Sequence, residues 1–379
     1  MIPLSYQQHL KSQFSPTEYF LLTFLIQILQ SIKTLSLEKL ANALPLPILF
    51  ESRRKKIQRF LMLPHLGFKT VWFPLLLSLI PTIFSANSTL YFAIDRTNWR
   101  FTNLLVVSLI YNKRALPVYI HILNKKGNSN LAEQKQVIEP VIRLFKDYSI
   151  VFLGDREFCS VRLGNWLQEQ KVFFAVRLKK NENIQQDLVF TELKNLGLKA
   201  GVSLFIEGVS ITKQKGFGPF NLAGKWQRKH KGFVAEEGWF ILTNLGSLEA
   251  AVNAYRQRFD IEEMFRDFKS GGYNLEETQV TGDRLMGLLV LMTIAYSMTT
   301  FQGKTIVKMG LQKYVGRVRE KGRADRRHSS FYIGLYGHSW VDFYGDFWDC
   351  IIELMRLSPN KRPYYRKGLR AMELVLSAL

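Results

Sequence analysis

Two aspartates each stand directly after a short apolar run: Asp95 after LYFAI and Asp155 after IVFLG. Such runs, bounded by turn residues, read as buried strands, and carboxylates at the ends of neighbouring strands can converge on one point. Either aspartate alone is equally an ordinary turn residue or the cap of a following helix. Farther along, Tyr255, Arg258, Glu262 and Lys269 follow one another at steps of three, four and seven. Those steps return to one face of a helix. A tyrosine, two cations and a carboxylate do not make a core stripe, although Arg258 and Glu262 could also form an exposed i,i+4 ion pair worth about 0.2–0.5 kcal/mol. Three acids without a histidine cluster suit phosphodiester chemistry. The attacking oxygen must be activated and charge on the leaving oxygen neutralised, and two divalent ions roughly 4 Å apart do both. Mg²⁺ favours carboxylates, phosphate oxygens and water as ligands. Arg258 and Lys269 on the same face would grip the flanking phosphates.

The charge balance points the same way. Lys and Arg total 52 against 31 acids, a formal +21 with a pI near 9.9, in a chain that is 47% hydrophobic. That excess favours a polyanionic partner, either nucleic acid or an anionic membrane surface. The membrane is the weaker candidate. The apolar stretches at 19–29, 71–84 and 285–298 each fall short of roughly 20 residues, and Pro74 and Pro81 interrupt the second. The N-terminus lacks the pattern of a signal peptide. Cys159 and Cys350 lie far apart and the six histidines are scattered. A disulfide framework and a zinc site are therefore not expected, and a reducing cytoplasm is the natural setting.

The elements that must position these residues follow from apolar periodicity. Residues 1–86 read as a helical N-terminal DNA-binding region. In it Ser36 would cap a short helix, Leu44-Pro45-Leu46-Pro47 would break it, and a basic helix with Arg53, Arg54, Lys55, Lys56 and Arg59 would follow. That outline suits a helix-turn-helix module or a plain solvated basic face. Residues 87–182 read as strands at 90–94, 104–111 and 115–123 across hairpin-length links. A helix at 131–148, a strand at 150–154, a helix at 161–170 and a strand at 172–178 complete this first part of an α/β core. Residues 183–248 read as a β-rich insertion, with Lys213, Lys215, Lys225, Arg228, Lys229, His230 and Lys231 grouped in it. One long helix over 247–270, ended by Gly271-Gly272, opens the last core helices at 249–300. A helical basic C-terminal region, 301–379, contains the charged run 313–327.

On these residues a resemblance rests. Tyr255-x2-Arg258-x3-Glu262-x6-Lys269 resembles the YREK signature of the insertion-sequence-four family of bacterial DDE transposases, spacing included. The run GDREF around Asp155-Arg156-Glu157 resembles the family's second catalytic aspartate, and Asp95-Arg96-Thr97 its first. Trp239-Phe240-Ile241-Leu242-Thr243 resembles the strand bearing its base-stacking tryptophan. The resemblance spans residues 87–300. It implies a ribonuclease-H-like mixed sheet with the β-insertion between the second Asp and the Glu. It further implies Asp95, Asp155 and Glu262 as ligands of Mg²⁺ or Mn²⁺, in two ions, and Tyr255, Arg258, Lys269 and Arg156 on DNA. Trp239 would stack on a flipped base. The activity implied is endonucleolytic cutting of double-stranded DNA at transposon ends through a hairpin, then strand transfer into target DNA. The enzyme would act as a homodimer at the bacterial nucleoid, in the cytoplasm.

Other readings stay open at this level. Trp239 could be a core aromatic on a buried strand, and Trp226, flanked by cations, is its rival for stacking. Arg156 and Glu157 could orient the site or pair on the surface. The chain could also be a catalytically decayed or regulatory DNA-binding relative, a repair nuclease on the same core, or a basic membrane-associated protein.

Overall fold

The computed structural model describes all residues except 1, 187–188, 212–216, 229–235, 321–326, 343–347 and 358, and leaves the side chains of 186, 217 and 350 undescribed. Lys213, Lys215, Lys229, His230 and Lys231, part of the basic run 313–327 and the Cys350 side chain thus lie outside the described residues. Five helices come first: α1 (Leu4–Gln13), α2 (Pro16–Ile32), α3 (Leu37–Ala43), α4 (Phe50–Leu61) and α5 (Phe73–Leu79). Then come β1 (Thr89–Trp99), β2 (Thr102–Tyr111), β3 (Arg114–Ile122), α6 (Leu131–Leu144), β4 (Ser149–Gly154), α7 (Val161–Glu169) and β5 (Phe173–Arg177). Five strands follow: β6 (Asn183–Gln186), β7 (Val189–Glu192), β8 (Ser203–Ile211), β9 (Phe217–Lys225) and β10 (Trp239–Thr243). Next are α8 (Leu248–Arg256), α9 (Asp260–Phe268), α10 (Gly282–Lys308) and α11 (Gln312–Val315). The chain ends with α12 (Ser330–Val341), α13 (Trp348–Leu357) and α14 (Arg362–Ala378). Two compact units result: Ile80–Phe265, and Met1–Leu79 joined with Arg266–Leu379.

The unit Ile80–Phe265 is built on one mixed sheet in the order β3-β2-β1-β4-β5-β10-β9-β8-β6-β7. The expected succession from the first strand to β5 is present, each element within a few residues of its place. β1, β2 and β3 form an antiparallel meander. Asn112 and Lys113 link the last two with φ of 52° and 60°, the primed-turn conformation that suits a two-residue hairpin. After the helix α6, whose Asn130 and Glu133 make a reciprocal N-terminal capping box, β4 runs parallel to β1 and β5 parallel to β4. Parallel neighbours need such a crossover, and their strands are buried on both faces. Phe92, Phe145 and Phe152 stack there with centroids 5.1 and 5.6 Å apart. Residues 183–248, expected as an insertion, carry β6–β10. These strands do not stand apart: β10 pairs antiparallel with β5, and β9, β8, β6 and β7 extend the same sheet.

In the other unit, α10 is the central helix. The sequence suggested an apolar segment of only 285–298. The helix is in fact 27 residues long, apolar and long enough to cross a membrane, yet 89% of its apolar window is buried inside the protein. The burial is by α2, α4 and α12 among others, and polar side chains are paired within it. Gln30 Nε2 donates to Thr299 Oγ1 at 2.9 Å, Tyr273 and Thr299 share a hydrogen bond at 3.0 Å, and Tyr6 donates to Ser297 at 3.0 Å. Buried hydroxyls and amides need such partners wherever water is excluded. The helix-break-basic-helix outline is present as α3 and α4. Two of its cations are already engaged: Arg53 donates to the carbonyls of Ala41 and Ile48 at 2.9 and 3.2 Å, and Arg54 pairs with Glu38 at 2.6 Å.

Helices α10 and α12 approach so closely that side chains are excluded at their crossing. A Cβ on Gly303 would lie 1.8 Å from the carbonyl oxygen of Ser330, and one on Gly334 2.0 Å from that of Thr299. Gly334→Ala should therefore force the helices apart and cost about 1–3 kcal/mol. A thermal or urea melt measures this, and an unchanged midpoint would remove the close crossing from the account of stability.

Candidate active site

The parallel pairing of β1 with β4 puts Ile94 opposite Gly154, so Asp95 and Asp155 stand side by side one residue on. Each is held by a local hydrogen bond. Asp95 Oδ1 accepts from the Arg96 amide at 2.7 Å, and Asp155 Oδ1 from the Glu157 amide at 2.8 Å. Asp155 thereby caps the 3₁₀ turn Arg156–Phe158. A Cβ on Gly154 would come 2.8 Å from the Phe158 Cβ, so the residue before Asp155 must be small for this turn to fold back on the strand.

The third acid arrives from α9. The single helix expected over 247–270 is instead two, α8 and α9, joined by the 3₁₀ turn Gln257–Phe259. Ser247 caps the first by accepting from the Ala250 amide at 3.2 Å. The tightened turn carries Arg258 inward, where it is only 6% exposed. Its Nη1 lies 3.4 Å from Asp95 Oδ2 and its Nη2 2.6 Å from Glu262 Oε1. The i,i+4 pair thus forms, but as a buried guanidinium bridging two acids rather than a solvent-screened surface pair. Its Cζ lies 4.5 Å from the centroid of Phe259, a cation–π contact that helps compensate burial. Glu262 keeps 53% of its side chain exposed and faces open space.

Burial, first of all, raises the Asp95 pKa to about 7; the negative charges of Asp155 and Glu262 add to the rise, while the Arg96 amide and Arg258 oppose it. Asp95 is therefore near enough to sense both Asp155 and Glu262. Among the described residues, no group of three or more His, Cys, Asp and Glu side chains is arranged to hold a metal ion as it stands; Arg258 occupies the place between Asp95 and Glu262. The donor chemistry nonetheless fits a hard divalent cation: oxygen ligands alone, two of them at adjoining strand ends, with mutual repulsion that a cation would relieve.

Tyr255 is buried against this group. Burial raises its pKa, and the guanidiniums of Arg258 and Arg177 pull it back. Trp239, half-buried at the start of β10, packs edge-on against Tyr255 at 5.2 Å and against Phe259 at 5.8 Å. It is thus part of an aromatic wall beside the acids. Trp226 instead continues the β8–β9 ladder through backbone bonds with Gly201 and Val202 at 2.9 and 3.1 Å. Arg156 pairs with Glu237, which also pairs with Arg177 at 2.7 Å. A cleft of about 590 Å³ opens beside Asp155, lined also by Asn128, Arg156, Arg162 and Lys179. The four residues do not share one helix: Tyr255 is on α8, Arg258 in the turn, Glu262 on α9, and Lys269 one residue past the end of α9, where it pairs with Glu276 at 2.8 Å. Arg177 is the residue the sequence reading missed. It ends β5, the strand next to β4, and an ionisable residue at a strand end was the signal that found both aspartates.

Because Asp95 ionises in the unfolded chain near its ordinary value of 3.8 but in the folded protein only at about 7, stability falls as pH rises between these values and stays lower above them. Asp95→Asn removes that burden. In metal-free buffer it should stabilise the protein by about 1–3 kcal/mol at pH 8 and by little at pH 4. Melting curves at the two pH values check this; equal effects at both would show that Asp95 titrates normally.

Among curated proteins no sequence matches this chain. Among solved structures, it resembles a cryo-EM structure of a piggyBac transposase synaptic complex with hairpin DNA, at 14% identity and a TM-score of 0.45, covering 98% of this chain and 81% of that one. Residues 89–298 match the family model described as the transposase DDE domain. That is more than half of the 379 residues, and the chain belongs to the DDE transposases.

Proposed function

We propose that this chain is a DNA transposase of the insertion-sequence-four type, cutting double-stranded DNA at transposon ends and joining those ends to target DNA. The observation that carries the reading is the adjacency of Asp95 and Asp155 at the ends of paired parallel strands, with Glu262 tied to Asp95 through Arg258. The strand order β3-β2-β1-β4-β5, antiparallel and then parallel, is the reason the core is taken as ribonuclease-H-like.

Asp95, Asp155 and Glu262 would hold Mg²⁺ or Mn²⁺ in two ions, which activate the attacking oxygen and neutralise charge on the leaving one. Arg258, set between two of the acids, would turn its guanidinium to a phosphate oxygen, and Tyr255 would fix the orientation of that guanidinium. Arg156 would extend the phosphate contacts past Asp155, and Lys269 would make a DNA contact of its own. Hydrolysis at the element boundary would free a 3′-OH. That hydroxyl would attack the opposite strand to close a hairpin, water would open the hairpin, and the 3′-OH would then join the target strand. Trp239, already in an aromatic wall with Tyr255, would stack on the base that must leave the duplex for the hairpin to close. The +21 charge supports DNA as partner, and the insertion-sequence-four reading carries with it the bacterial nucleoid, in the cytoplasm, as setting. The active form would be a homodimer, with the helical N-terminal region 1–86 as a further DNA-binding part beside the helical basic C-terminal region 301–379.

Purified protein, incubated with linear DNA carrying its own element's ends and Mg²⁺ or Mn²⁺, should cut at the boundary. Asp95→Ala, Asp155→Ala and Glu262→Gln should each lose at least a hundredfold in rate while still binding the ends. Denaturing gels read this out; end binding without metal-dependent cutting in the wild type would favour a regulatory relative. In the same assay Trp239→Ala should still nick but yield several-fold less hairpin, and a normal hairpin fraction would reduce Trp239 to packing.

A further inference from the structure

We propose that Glu157 is a positioning residue that sets the spacing between Asp95 and Asp155 by clamping the segments that carry them. This rests on the metal-binding role proposed above for the two aspartates. Glu157 stands in the turn that follows β4, and its amide donates to Asp155 Oδ1 at 2.8 Å. Its carboxylate turns the opposite way, toward β1. Arg96, the residue after Asp95, donates its Nε to both oxygens, at 3.2 and 3.0 Å. The Arg96 amide in turn donates to Asp95 Oδ1 at 2.7 Å. The path Asp95–Arg96–Glu157–Asp155 is therefore an unbroken chain of hydrogen bonds and covalent links running from one aspartate to the other.

The clamp is anchored on two more sides. Ser129, next to the cap of α6, donates both its amide and its hydroxyl to Glu157 Oε1, each at 2.9 Å. Arg96 Nη1 donates to Asn103 Oδ1 at 3.1 Å and Nη2 to Asn128 Oδ1 at 3.2 Å. Asn103 on β2 donates to the carbonyls of Lys125 and Gly127 at 2.9 and 3.0 Å. The Glu157 side chain is only 11% exposed and that of Arg96 18%, so the pair is largely shielded from solvent, unlike a surface ion pair. Three donors, making four hydrogen bonds, already converge on the Glu157 carboxylate, and a guanidinium neutralises it. That makes it a poor metal ligand and a good strut. Side chains in this supporting position hold ligands to within fractions of an ångström, and their loss typically weakens metal affinity by about 10–100-fold.

Glu157→Gln keeps the size and loses the charge; Arg96→Lys keeps the charge and loses the fork. Mn²⁺ binding to the full chain, read from the loss of the free-ion EPR signal, should weaken by about 10–100-fold in Glu157→Gln and by a smaller factor in Arg96→Lys. Combining Glu157→Gln with Arg96→Gln should cost little more than either alone, since the two act as one clamp. Duplex DNA binding in EDTA should stay within about twofold of wild type, which a general loss of fold would not allow. Mn²⁺ affinity lost in Asp95→Ala and Asp155→Ala but unchanged in Glu157→Gln and Arg96→Lys would overturn the clamp alone. Affinity indifferent to the two aspartates would overturn the metal reading and the clamp with it.

Discussion

Carboxylates crowded at the ends of paired strands repel one another, and much of the unit Ile80–Phe265 is organised around that repulsion. One guanidinium counters it directly, and a second steadies the chain beside Asp95. Arg258 is buried between Asp95 and Glu262, and Arg96 is locked behind Asp95 by Glu157. Neither is free to drift: one stacks over Phe259 and the other is forked among Glu157, Asn103 and Asn128. The charges are satisfied in pairs without being quenched, since Asp95 remains hard to ionise. A divalent ion placed among these acids would meet a site with electrostatic demand for it.

The scaffold explains how such a site stays rigid. Parallel pairing brings the aspartates side by side, because register sets Ile94 against Gly154. Glu262 has no ladder to fix it. It hangs from a helix whose preceding turn is tightened and held by the packing of Tyr255, Phe259 and Trp239. The Arg114–Glu263 pair at 2.7 Å adds a tie from the β2–β3 hairpin to the neighbouring position on α9. The extra strands β6–β10 bring Trp239 and Glu237 to the same place by extending the sheet past β5.

The other unit obeys different physics. Its long helix α10 is apolar all round, so its stability comes from being enclosed, with glycine crossings where helices must touch and hydroxyls paired where they are buried. Its basic surface is only partly available to a polyanion, because Arg53 and Arg54 are committed to holding α3 and α4 together. Net charge counts every cation equally; a folded surface does not.

The two aspartates, the strand order to β5, the hairpin links and the helices α6 and α7 were legible in sequence, because each is a local pattern of apolar runs and turn residues. The glutamate was legible through spacing, since steps of three and four suit any helix whatever packs on it. What sequence could not decide was depth. Arg258 and Glu262 look like a surface pair at i,i+4, and only the sheet below makes the arginine a buried bridge. The long helix over 247–270 was overdrawn for the same reason, as periodicity continues smoothly through a turn that packing has tightened. Lys269 stands one residue past the end of α9, paired with Glu276. Arg177, Glu237 and the Arg96–Glu157 clamp join residues between 60 and 81 positions apart. No window along the chain spans such pairs, because contacts at that separation exist only once strands have chosen their neighbours.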